Sequence, residues 1–240
     1  MKRNSIMRLF VVAVMAVFLA FAMAACGDDE KSEESKEKDK QATQSAELSD
    51  ADVDVLMEEV AGSEIEKRYE KYMKDEAFAD AEIFGIDRDG DEGKAYVRLG
   101  TGEYVKAGDK VYNVSGSEGE AIIEFDYTDN GPKLTNVEWS ADGSAHDEWM
   151  QENFPEEYLK KLNGYLAKNK EGASELSKQL DKKAKEELGA PVENELQLNI
   201  DTGKGTYEII KIKESGDPSE GDYKFETETV EKGKLSDIGS

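Results

Sequence analysis

The spacing of apolar residues divides the chain into stretches of different kind. Leu9 to Ala25 is apolar without interruption, and Gly27 to Glu47 contains no Leu, Ile, Val, Met or aromatic residue. From Leu48 onward the pattern becomes periodic. Val53, Leu56, Met57 and Val60 fall at i, i+3, i+4 and i+7, one face of a helix. Ser49 precedes them, with Asp52 three residues on, so the helix has an N-cap signature. Gly62 interrupts it. Ser63-Glu64-Ile65-Glu66 reads as a second capping box and predicts a second helix, or a kinked continuation, with Ile65, Tyr69, Tyr72 and Met73 on its apolar face.

The period then changes. Phe78–Ile86, Lys94–Leu99, Glu103–Val114, Ala121–Tyr127 and Leu134–Trp139 are rich in Val, Ile, Tyr and Phe, as strands are. Turn-forming clusters separate them: Asp89-Gly90, Gly100-Thr101-Gly102, Gly108-Asp109, Gly116-Ser117 and Asp129-Asn130-Gly131. Connections this short predict an antiparallel meander, because parallel crossovers need a dozen or more residues.

Helical spacing returns after Ser144-Ala145-His146-Asp147, a cap pattern leading to Trp149 and Met150. Pro155 stands at a first helical position, followed by the stripe Tyr158, Leu159, Leu162, Tyr165 and Leu166. Ala173, Leu176, Leu180, Ala184 and Leu188 form a narrower stripe that stops at Gly189-Ala190-Pro191. Alternation resumes with Leu196, Leu198 and Ile200, then Tyr207, Ile209 and Ile212, then Tyr223 and Phe225. Helices, a meander, helices and strands make an α+β pattern. The globular region spans 48–232, with candidate divisions near 142 and 191, and residues 233–240 read as a frayed tail.

Composition narrows the function classes. The chain has 240 residues, with 31 Lys and Arg against 55 Asp and Glu, a net charge of −24. Phosphate backbones require Lys and Arg, so this balance disfavours nucleic acid as a partner. One Cys forbids an intramolecular disulfide or a Cys-rich zinc site, and one His forbids paired-His metal motifs.

The N-terminus reads as an address. Lys2, Arg3 and Arg8 precede the apolar run, small residues close it, and Cys26 follows at once, which is the anatomy of a secretory signal. Met23-Ala24-Ala25-Cys26 resembles the lipobox of bacterial lipoproteins, with Met where Leu is usual. The resemblance implies a signal peptide over 1–25, diacylglyceryl transfer to the Cys26 sulfur, and cleavage before Cys26. The other reading of the run, an uncleaved membrane anchor, sits at the lower edge of spanning length. Residues 26–47 then form a charged, disordered tether with a reach of roughly 25 Å. The implied place is the outer face of the cytoplasmic membrane of a Gram-positive bacterium, held through the lipid.

Candidate chemistry is sparse. Asp87, Asp89 and Asp91 alternate as in a calcium loop, but Glu92 replaces the Gly of position six and Arg98 the bidentate Glu of position twelve. The competing reading is a solvated hairpin turn. The acidic loop Gly216–Asp222 is weaker. His146 is the available general base, yet no Gly-x-Ser-x-Gly elbow accompanies it. Carboxylate pairs for glycoside hydrolysis are possible in so acidic a chain, and the spacing selects none. Trp139, Trp149, Tyr158 and Tyr165 suit either a ligand pocket or a core. No nucleotide-binding glycine motif is present, and no cofactor is implied.

The stretch Asn136-Val137-Glu138-Trp139-Ser140-Ala141-Asp142-Gly143-Ser144, with Trp149-Met150 and Phe154-Pro155-Glu156-Glu157-Tyr158, is similar to a segment of certain Firmicutes membrane proteins. These are integral-membrane metallopeptidases of the β-lactamase-regulator type, in their extracytoplasmic C-terminal part. The similarity covers about 25 residues, one supersecondary unit. It implies an extracytoplasmic accessory or sensing module without peptidase chemistry, since no His-Glu-x-x-His occurs. The sequence therefore points to a lipid-anchored binding or accessory module of the cell envelope. The alternatives are a carboxylate-dependent envelope hydrolase and a calcium-dependent module built on the Asp87–Glu92 turn.

Overall fold

The computed structural model describes residues 47–169, 174–215 and 224–238. The signal, Cys26 and nearly all of the tether lie outside them. Helix α1 (Asp50–Glu64) opens with the capping box that the sequence predicts: Ser49 Oγ accepts from the Asp52 N–H, and Asp52 takes the Ser49 N–H in return. Leu56, Met57, Val60 and Ala61 are its buried face.

The second capping box starts no helix. Residues 65–73 run irregularly from α1 to the first strand. The Arg68 and Tyr69 N–H groups that a helix would use are taken by the side chains of Glu103 and Asp75. Bonds from side chains to a local backbone compete with helix formation, and here a residue 35 positions away decides the contest.

Four antiparallel strands follow in the order β1-β2-β3-β4: β1 (Lys74–Asp89), β2 (Glu92–Ala107), β3 (Lys110–Thr128) and β4 (Gly131–Trp139). The meander is as read, with fewer and longer strands. Asp89-Gly90, Gly108-Asp109 and Asp129-Asn130-Gly131 are its turns, with Gly90, Gly108 and Gly131 at positive φ. Gly100-Thr101-Gly102 and Gly116-Ser117 are not turns. They face each other in mid-strand, Gly102 opposite Gly116. Gly102 leaves room for the neighbouring Tyr104 ring, since a Cβ there would lie 2.6 Å from it. Each of the three ladders carries one bulge, at Phe84, Val114 and Thr135, which bends the long strands.

Helices cover both faces of this sheet. On one, α1 packs over Ala79, Ile86, Val97, Leu99, Ile123 and Phe125. On the other, α2 (His146–Asn153) and α3 (Glu156–Lys168) bury Met150, Phe154, Tyr158 and Leu162 against Phe84, Tyr96 and Ile122. Pro155 is the N-cap of α3, one place before the expected position. Helix α4 (Glu175–Leu188) starts at the Ser174 cap and ends on Gly189 in the left-handed conformation. Its Leu180, Ala184 and Leu188 cluster with Tyr104 and Val111.

A second sheet has the order β5-β6-β7: β5 (Leu196–Asp201), β6 (Thr206–Ser215) and β7 (Lys224–Lys234). It is tied to the first. Val111 N donates to Pro191 O at 2.9 Å, and Glu193 N to Val111 O at 2.8 Å. Val105, Ala107 and Tyr112 of the long strands share a core with Leu198, Tyr207 and Ile209. Residues 41–240 form one compact unit. The tail differs from its reading as frayed: β7 runs through Lys234, and helix α5 (Leu235–Ile238) buries Leu235 and Ile238 in that core.

Side chains from the helices occupy backbone groups at both edges of the first sheet. On β1, Lys161 Nζ donates to Phe84 O at 2.7 Å and Lys183 Nζ to Ala79 O at 3.0 Å. On β4, Glu59 accepts the Leu134 N–H. Open edges invite pairing with another chain, and charges placed there prevent it.

Candidate functional site

The Asp87–Glu92 segment is the β1–β2 hairpin end. Asp87 accepts from Tyr96 Oη at 3.1 Å and Tyr158 Oη at 3.0 Å. Burial, with the Asp87 charge beside them, pushes both phenols up. Arg88 Nε donates to Gly90 O, and its guanidinium lies 3.9 Å over the Tyr127 ring. Lys94 pairs with Glu124 at 2.8 Å and holds that carboxyl below its usual range. An open hollow of about 570 Å³ adjoins Asp87, Asp89, Glu92, Lys94 and Glu124. Among the described residues no group of three or more His, Cys, Asp or Glu is gathered to hold a metal ion. The Gly216–Asp222 loop lies outside the described residues.

His146 is bound into a charged row on the sheet face that α2, α3 and α4 cover. Its Nε2 lies 3.1 Å from Glu120 Oε2, and its Nδ1 lies 3.4 Å from Asp147 Oδ1. Arg98 Nη1 donates to Glu120 Oε1 at 2.5 Å, and Nε donates to Glu118 Oε1 at 2.9 Å. Ser174 Oγ donates to the remaining Glu118 oxygen. The Glu120 carboxylate raises the His146 pKa. This network ties the starts of α2 and α4 to the sheet. The serine within it bonds to Glu118, not to His146, so the arrangement is an ion-pair network and not a nucleophile–base pair.

A second buried network was not legible beforehand. Asp75 and Glu103 are 4% and 0% exposed, on the sheet face between the α1 core and the core of the second sheet. Glu103 takes the Arg68 backbone N–H and guanidinium. Asp75 Oδ2 accepts the Tyr69 N–H at 2.6 Å, while its Oδ1 is buried without a partner. Burial, opposed by the Tyr69 N–H and reinforced by the nearby Glu103 charge, pushes the Asp75 carboxyl up to about 6. The two acids hold the 65–73 connector to the sheet.

The four aromatics are not gathered at one pocket. Trp139 packs on the α1 side with its Nε1 donating to Glu64. Trp149, Tyr158 and Tyr165 pack on the opposite side among α2 and α3.

The recess with the clearest division between apolar floor and charged rim lies along the β1 edge, where α1 passes on one side and α4 on the other. It has a volume of about 420 Å³. Ala77, Phe78 and Ala79 of the strand, with Met57 and Ala61 of α1, form the floor. Asp54 and Glu58 stand on one rim, and Glu186 and Glu187 on the other. Lys183 lies across it, donating to Ala79 O and 3.4 Å from Asp80 Oδ1. No helix among the described residues is long and apolar enough to cross a membrane. No protein-family model matches the chain, and no curated protein or solved structure matches it.

Proposed function

We propose that this protein is a binding module of the bacterial cell envelope, anchored through a lipid on Cys26 to the outer face of the cytoplasmic membrane. The location rests on Met23-Ala24-Ala25-Cys26 after a basic and then apolar N-terminus. A diacyl anchor supplies two chains, enough for stable attachment. The binding role is carried by the recess between α1 and α4, an apolar floor between two charged rims at a strand edge. Apolar hollows with a few placed polar groups are the usual form of recognition sites. The hydrolase alternative has less support: the one histidine and the carboxylate beside it are engaged with Arg98 and with each other.

Fractionation of cells producing the chain tests the location. The protein should be in the membrane fraction, cut by protease added to intact protoplasts, and Cys26→Ser should remain unprocessed or be released. Normal processing and retention of Cys26→Ser would sink the lipid anchor. Hydrolysis of wall glycan or peptide by the purified protein, abolished by one carboxylate substitution, would overturn the binding reading.

A further inference from the structure

We infer that the α1–α4 recess takes a basic peptide segment, a lysine or arginine whose aliphatic stem lies on the Ala77–Ala79 floor and whose cation sits between the two acidic rims. The inference rests on the binding reading above and names the partner class.

The argument begins with α1. Its fifteen residues include six acids and no base. Asp50, Asp54 and Glu58 follow one another at i, i+4, so one stripe carries three like charges, a destabilising arrangement in a helix. Glu58, Glu59 and Glu64 then occupy the C-terminal half, where the helix dipole disfavours anions. Glu59 and Glu64 have partners on β4, Leu134 N–H and Trp139 Nε1. Asp54 and Glu58 make no ion pair among the described residues, and neither does Glu186 across the recess. The one cation on the lining, Lys183, is committed to Ala79 O and Asp80. The fold thus retains a repulsion that a cation placed in the recess would relieve.

The floor narrows the choice. A metal ion would meet the methyl groups of Ala77 and Ala79 and the Phe78 ring. Lysine and arginine carry an apolar stem and a charged head, which match floor and rim together. Nucleic acid and anionic lipid are the wrong sign.

The experiment uses the full mature lipoprotein in a non-ionic detergent. The probe is a fluorescent, end-capped hexapeptide of alternating lysine and alanine, with a glutamate–alanine peptide beside it. The lysine peptide should bind at one per chain and raise the unfolding midpoint, and the glutamate peptide should not. Glu58→Lys with Glu186→Lys should weaken binding at least tenfold. Glu148→Lys with Glu152→Lys makes the same charge change on exposed α2 positions and should leave affinity within twofold. Asp54→Asn with Glu58→Gln should unfold at a higher temperature than the parent and lose the peptide-induced shift. No binding, or equal loss in the two lysine pairs, overturns the inference and leaves the anchored module standing. A failure of Cys26 to be processed removes the anchor and leaves the recess result intact.

Discussion

The backbone and the side chain of Arg68 hold the same carboxylate: its N lies 3.0 Å from Glu103 Oε1, and its Nε lies 3.1 Å from Oε2. The two side chains are unequally placed, with Arg68 46% exposed and Glu103 1% exposed. Removing the arginine therefore strands a buried charge, whereas removing the glutamate frees a cation that can turn to water. Arg68→Met should cost about 3–5 kcal/mol, the range for an orphaned buried charge. Glu103→Gln should cost less. Urea unfolding at neutral pH checks the order, and a larger loss for Glu103→Gln would contradict it.

Asp75 gives this network a pH dependence. Its carboxyl is raised from 3.8 to about 6, so the folded state holds the proton more tightly than the unfolded chain does. The stabilisation is full below about pH 4, falls as pH rises through 6, and is gone at pH 8. A shift of this size corresponds to about 3 kcal/mol at most. Asp75→Asn should therefore gain on the parent between pH 5 and 8, the groups facing it (Glu103, Arg68, Glu70 and the Tyr69 N–H) being common to both. Parallel stability curves for the two proteins would show that Asp75 does not titrate in that window.

His146 acts in the same direction over a higher window. Glu120 favours its charged form, so its contribution is present below pH 6.5 and is lost as pH rises through the raised value. The imidazole is 37% exposed, and solvent screening limits the effect to about 1 kcal/mol or less. Nuclear magnetic resonance of the single histidine should show its titration midpoint fall in Glu120→Gln. An unchanged midpoint would mean that the pair is not formed in solution.

Gly85 lies beneath the Tyr158 ring. A Cβ at that position would come within 2.0 Å of Tyr158 Cε1. Gly85→Ala should cost about 1–3 kcal/mol through overpacking. Combined with Tyr158→Leu it should cost less than the sum of the two, because both act on one contact. Strict additivity would place the ring elsewhere.

How much of this could be read from the sequence depended on whether the deciding interaction was local. The Ser49 cap, the Asp89-Gly90 turn and the Gly189 stop are settled within a few residues, and each appears where the pattern puts it. The connector 65–73 carries an equally good capping box, but its backbone donors go to Asp75 and Glu103, and no window around Ser63 contains Glu103. Gly100, Gly102 and Gly116 resemble turn residues because glycine serves turns and close packing alike. Only the neighbouring Tyr104 ring distinguishes the two at Gly102. The buried acids were hidden for a simpler reason: in a chain with 55 carboxylates, nothing in the sequence marks the two that fold inward.

The strands β2 and β3 contribute Val97, Leu99 and Ile123 to one core and Val105 and Tyr112 to another. Neither core can be opened while this hairpin stays zipped, and neither survives once it parts. Regions that share an element in this way belong to one cooperative unit. Protection of backbone amides against hydrogen exchange should therefore converge on a single opening energy along Ala95–Val105, with the β5–β7 sheet and α1 losing protection together.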